Sequence, residues 1–253
     1  MDALRYVVNA LIMAAEVAAV LAVAWLGFAH PLLFSAVTAV LALALGLALE
    51  SARLRNELPF YFEGMRDSRL RAFLVPLVGG TEALMKAVLA GVAALFTFSG
   101  TNHDRLFWVA VVFGLTVFAG SALLRVLSIK LNALPVRWGF FRLGAPLGLL
   151  FSAGLTILAA TSIIASASLS DLGWKIMWDM PARPSVDQVS ELVFQIKQAF
   201  DDFVVTILAA VMRREWAQLV GIFISVNVLA GFVAAVYAAV ISSAVRVAEK
   251  RVL

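Results

Sequence analysis

The chain has 253 residues, of which 63% are hydrophobic and only 14% charged, with a mean hydropathy of +0.98. Soluble domains average about half apolar and a quarter charged, so this composition excludes an ordinary soluble protein and predicts an all-α polytopic membrane protein. With no cysteine, disulfides, thiolate metal sites and cysteine nucleophiles are excluded; the formal charge of +4 comes from basic clusters beside apolar segments and gives no case for nucleic-acid binding.

A bilayer core of ~30 Å needs about 20 apolar residues per helix, which leaves room for about six spans. The first is expected at 6–28. Arg5 followed by an apolar run has the look of a secretory leader, but Glu16 inside the run argues for a retained span. The second is expected at 31–50, with Pro31 at a first helical position, where a missing N–H is tolerated. Spans three to six are expected at 72–98, 105–128, 144–167 and 217–245. The segments that would share the side of both termini carry thirteen Lys and Arg, against six on the opposite side. This bias predicts N- and C-termini in the cytoplasm. Fifteen arginines to five lysines and abundant alanine suggest a bacterial inner-membrane setting.

The whole chain reads as a single transmembrane domain with one insertion, residues 168–216, on the side away from the termini. Within it Val186, Val189, Leu192, Val193, Ile196, Phe200 and Phe203 recur at steps of three and four, with Asp187, Glu191, Gln195, Gln198 and Asp202 between them. That spacing predicts an amphipathic helix with Ser185 as its N-cap. Leu192, Ile196, Phe200 and Phe203 are candidate partner contacts, and Trp174 and Trp178 candidate interfacial anchors. The stretch 203–212 is too short to span alone.

An internal repeat is also legible. Asn56-x-Leu58-Pro59 follows the second predicted span and Asn132-x-Leu134-Pro135 the fourth, each continuing into an aromatic. Arg5 precedes Glu16 by the same eleven residues that separate Arg71 from Glu82. The expectation is a hairpin unit used three times, with the third copy diverged.

The functional question centres on Glu16 and Glu82, roughly 16 Å deep at 1.5 Å per residue. An ionised acid there costs about 2.5–3.5 kcal/mol unless it is paired, hydrated or protonated. One reading is a polar lock: Lys86 lies one turn from Glu82 and, if the first and third helices are neighbours, reaches Glu16 as well. The other is an ion or proton path, extended by Asn9 on the Glu16 face and by Asn227 in the sixth span. His30 and His103 read as loop residues, and no motif for a zinc site, a nucleophilic serine or a phosphate loop is present. The expectation is therefore a non-enzymatic subunit or scaffold of a membrane assembly, with an ion- or proton-translocating subunit as the alternative. It requires no cofactor and no metal, and its partners are the bilayer and other protein chains or further copies of itself.

Overall fold

A computed structural model describes residues 2–61, 68–136, 142–161, 163 and 183–252, and every regular element among them is helical. Helix α1 spans Asp2–Ala29 and α2 spans Pro31–Tyr61. Only His30 separates them, and the Leu26 and His30 carbonyls carry the hydrogen bonding across the joint. Helix α3 is Ser68–Thr97 and α4 is His103–Leu131. The turn between them uses Gly100 at φ +108°, a backbone state that only glycine adopts without strain. Asn102 then caps α4 by accepting from the Arg105 N–H.

Helix α5 is Gly144–Ala160, α6 is Val186–Val211 and α7 is Arg214–Ile224. A 3₁₀ turn over Val226–Leu229 leads into α8, Ala230–Val252. Ser185 caps α6 in a reciprocal capping box with Gln188. The apolar stretch 203–212 continues α6 as far as Val211 rather than forming an element of its own.

Five segments are long and apolar enough to cross a membrane: Tyr6–Ala29, Pro31–Arg55, Phe73–Thr97, His103–Leu131 and Arg214–Lys250. The helix expected over 144–167 ends at Ala160, and its 17 residues fall short of the usual crossing length. The helix expected over 217–245 is broken near its start, because Ser225 leaves the helical region and turns its hydroxyl onto the Asn227 N–H.

Helix α8 is the axis of the bundle. Val233, Ala234, Ala235, Val236, Ala238 and Ala239 are all fully buried, the pattern of a helix surrounded on every side. Around it Phe34, Phe98, Phe113, Phe151 and Tyr237 interlock edge to face, with Phe34 stacked on Tyr237 at 5.3 Å. Such pairs contribute about 0.5–1.5 kcal/mol each beyond area burial. The Tyr237 hydroxyl shares a 2.9 Å hydrogen bond with Thr38, so this core leaves neither group unsatisfied. The outward side chains, among them Leu21, Trp25, Leu84, Met85, Leu89 and Leu115, are apolar.

Packing is uneven across the expected hairpin units: the last pair, α5 and α8, is in extensive contact, whereas α1 and α2 touch less and α3 packs chiefly on α2. The most extensive contacts are α2 on α3, then α8 with α4 and α5, and α1 lies chiefly against α4. The two N-x-L-P frames also behave differently. Asn132 ends α4 in the left-handed region (φ 52°), whereas α2 continues through Asn56 and Pro59 to Tyr61. A proline in a helix's last turn removes one hydrogen bond and is tolerated where the helix is about to stop.

Candidate functional site

The intramembrane acids fall into two separate clusters. Glu16, 4% exposed, faces α4. Ser121 donates to its Oε1 at 2.5 Å, and Arg125 stands 3.6 Å from its Oε2. Arg125 also donates to Glu249 on α8 at 2.5 Å, so one guanidinium ties α1, α4 and α8 together. The flexible stem of arginine lets its head reach from mid-helix toward the bundle end. Its Nε is buried without a partner, which makes Glu16 and Glu249 its principal compensation. Asn9, half-buried on α1, is not among the hydrogen-bond or ion-pair partners of Glu16.

Lys86 turns away from Glu16. It donates to Glu50 near the middle of α2, a buried acid that the hydropathy reading left at the edge of its span. Glu82 lies 3.9 Å from Lys86 and 3.8 Å from Arg53, which in turn pairs with Glu50 at 3.4 Å and with Glu57 at 2.9 Å. The single lock foreseen across Glu16, Lys86 and Glu82 is thus two locks. The reason is topological: α3 packs on α2 rather than α1, so the basic partner of Glu16 comes from α4. Glu82 and Lys86 border a cavity of about 320 Å³ shared with α8.

A third cluster, which sequence reasoning missed, sits beside the α3–α4 turn. Helix α6 lays its polar face on the bundle. Ser190 accepts from the Gly100 N–H at 3.0 Å, Glu191 accepts from Thr101, and Lys197 donates to the Phe96 carbonyl at 3.1 Å. Asp201 accepts from the Ser225 hydroxyl, the Val226 N–H and the Asn227 amide at 2.9–3.2 Å. Asn227 is therefore part of a capped break in the chain and not a lone polar group. Lys197, Asp201 and Asn227, with Arg105 and Phe194, line a pocket of about 260 Å³. The available signal was the i, i+4 pair Lys197/Asp201 lying on one face with Ser190 and Phe194, flanking the apolar stripe.

The stripe itself points away from the bundle: Ile196, Phe200 and Phe203 are 49%, 45% and 59% exposed, whereas Leu192 is half-buried. Trp174 and Trp178 lie outside the described residues. His30 lies between α1 and α2, whereas His103 opens α4 rather than lying in a loop; each meets an aromatic ring edge on, Trp25 and Phe28 respectively. Among the described residues no group of three or more His, Asp or Glu side chains is placed to hold a metal.

Burial, together with the nearby Arg105 charge, pulls the Lys197 ammonium down to about 7. Burial pushes the Asp201 carboxyl up against its hydrogen bonds, and Asp202 rises from burial and the adjacent Asp201. The unfolded chain holds the Lys197 proton up to the ordinary lysine range while the folded chain releases it near 7. Stability is therefore lowest below pH 7 and rises with pH through that window. Thermal unfolding in nanodiscs between pH 6.5 and 9 is expected to show this rise in the wild type and a flatter profile in Lys197→Met; parallel profiles would contradict the assignment.

Comparison with protein families, with characterised proteins and with solved structures yields no match to this chain.

Proposed function

We propose that this protein is an integral membrane subunit or scaffold, without catalytic chemistry of its own, that self-associates through the outward face of α6. The observation that carries the proposal is the closure of Glu16 onto Ser121 and Arg125. A carboxylate committed to a hydroxyl and a guanidinium from a neighbouring helix fixes helix register, and proton or cation exchange would require that contact to break. The second support is the geometry of α6. Its outward apolar residues Val186, Val189, Val193, Ile196, Phe200, Phe203, Ile207 and Ala210 follow an unbroken alternation of three- and four-residue steps. That 3.5-residue repeat is the seam of a helix pair, and a second copy of the same stripe complements it.

In this reading the short helix α5 crosses as a sixth span, and the basic loops then put both termini in the cytoplasm of a bacterial inner membrane. The insertion then lies on the extracytoplasmic side, with α6 as its amphipathic element. Ion or proton translocation is favoured by one feature, the Glu82–Lys86 pair at the edge of its cavity.

Mass measurement of the purified protein in nanodiscs, for wild type and for Phe200→Ala/Phe203→Ala, decides between them. A wild-type oligomer that dissociates by tenfold or more in the variant supports self-association. A monomer with proton or cation flux in liposomes that Glu82→Gln abolishes would replace this reading with translocation. A stable complex with other chains would keep the subunit reading and change the partner.

A further inference from the structure

The pocket beside the α3–α4 turn is lined by two cations, Arg105 and Lys197, and two acids, Asp201 and Asp202, and neither cation is ion-paired to a carboxylate among the described residues. The Arg105 guanidinium lies on the Phe194 ring, 3.4 Å from its centre, and no carboxylate approaches it within ion-pair distance among the described residues. The Lys197 ammonium, 4% exposed, donates to the Phe96 carbonyl, and it has no ion pair within the same distance. Asp201, one turn away, has both oxygens held by Ser225, Val226 and Asn227, and Glu191 is taken up by Thr101.

On the same pocket Asn227 turns its amide N–H groups to Asp201 and Ser225, which leaves its Oδ1 buried without a donor. A buried acceptor left unpaired costs about 1–3 kcal/mol. Val109, Leu155 and Ala159 supply apolar wall, and the volume of about 260 Å³ equals roughly nine liquid-water volumes.

We propose that this pocket binds a small oxyanion that carries its own O–H or N–H donor, such as hydrogen phosphate or a short 2-hydroxy acid. The oxyanion sits between Arg105 and Lys197, and the donor reaches Asn227 Oδ1. The two cations without ion pairs attract an anion, and the orphan acceptor selects against one without a donor, because chloride would leave Oδ1 unpaired. The site stands on residues separate from the α6 seam and holds whether or not the chain self-associates.

The test is calorimetric titration of the protein in nanodiscs with inorganic phosphate and with glycolate, at an ionic strength fixed with sodium chloride. Saturable binding of both probes is expected, with none for further chloride. Glycolate stays singly ionised, so it reports on the protein alone. Its affinity is expected to fall about tenfold from pH 6 to pH 8 as Lys197, held near 7, loses its proton. Arg105 on α4 and Asp201 on α6 act on this ammonium directly, Glu191 acts on Arg105, and Asp202 lines the same pocket beside Asp201. Any pH dependence that survives in Lys197→Arg belongs to them.

Lys197→Arg is expected to retain binding with a flatter pH profile, and Arg105→Gln to weaken it at least tenfold. Circular dichroism and the unfolding temperature confirm the fold of each variant. Should Lys197→Arg fail to fold, Arg105→Gln and the wild-type pH profile decide the matter. The proposal is overturned if neither probe binds above the chloride background at pH 6, or if Arg105→Gln binds as the wild type does.

Discussion

Replacing Glu16 by Leu is expected to destabilise the protein by about 3–5 kcal/mol, the range for removing one partner of a buried ion pair. The change leaves the Ser121 hydroxyl without its acceptor and Arg125, whose Nε already lacks a partner, with Glu249 alone. Glu16→Gln is a milder change, costing about 1–2 kcal/mol, because an amide still accepts from Ser121 while the charge facing Arg125 is lost. Adding Arg125→Met to Glu16→Leu is expected to recover most of the loss. An apolar pair of similar volume often equals a buried ion pair, and Glu249, at 20% exposure, keeps access to solvent near the end of α8. Reversible unfolding in mixed micelles, read as a double-mutant cycle, measures the coupling between the two side chains. If Glu16→Leu lies within 1 kcal/mol of wild type, the cluster is not the lock inferred here, and the case against a translocating Glu16 weakens with it.

Gly231→Ala is expected to be the most damaging single-methyl substitution. A Cβ at Gly231 would fall 2.0 Å from the Gly144 carbonyl oxygen and 2.1 Å from the Gly148 nitrogen, so the obstruction is backbone that cannot rotate aside. A Cβ at Gly148 would fall just as close, 2.1 Å from the Val228 carbonyl oxygen. Helices α5 and α8 therefore meet main chain to main chain, the close approach that small residues permit in membranes. Overpacking of this kind costs about 1–3 kcal/mol or more and must push α5 off the central helix. Gly80→Ala provides the contrast. Nothing lies within 4 Å of a Cβ there, so that variant gains up to about 1 kcal/mol of helix propensity. Equal unfolding free energies for the two variants would mean that the α5–α8 crossing tolerates separation.

Hydropathy located the long apolar helices well because the bilayer sets their length, and Pro31, Ser185 and Asn132 marked their boundaries through local chemistry. Which helix packs against which is a different kind of information. The eleven-residue spacing from Arg5 to Glu16 and from Arg71 to Glu82 suggested equivalent acids, yet their surroundings differ. Glu16 is buried against Ser121 and Arg125, 105 and 109 positions later, while Glu82 remains half-exposed beside Lys86 and Arg53. Glu50 was overlooked because it stands at the edge of an apolar window, although the α2–α3 contact buries it. For α6 the periodicity was readable but the direction of its faces was not. A stripe of apolar residues implies a dry side, and only the positions of Gly100, Phe96 and Ser225 reveal that the polar side faces the bundle.

That orientation of α6 bears on how the chain is made. Asp201 takes its hydrogen bonds from residues up to 26 positions further along, so during synthesis it emerges before Ser225, Val226 and Asn227 exist to meet it. Lys197, by contrast, finds the Phe96 carbonyl already in place, 101 residues behind it. The side-chain bond of Lys197 therefore reaches back to chain made earlier, whereas those of Asp201 can close only after the chain beyond α7 has been made.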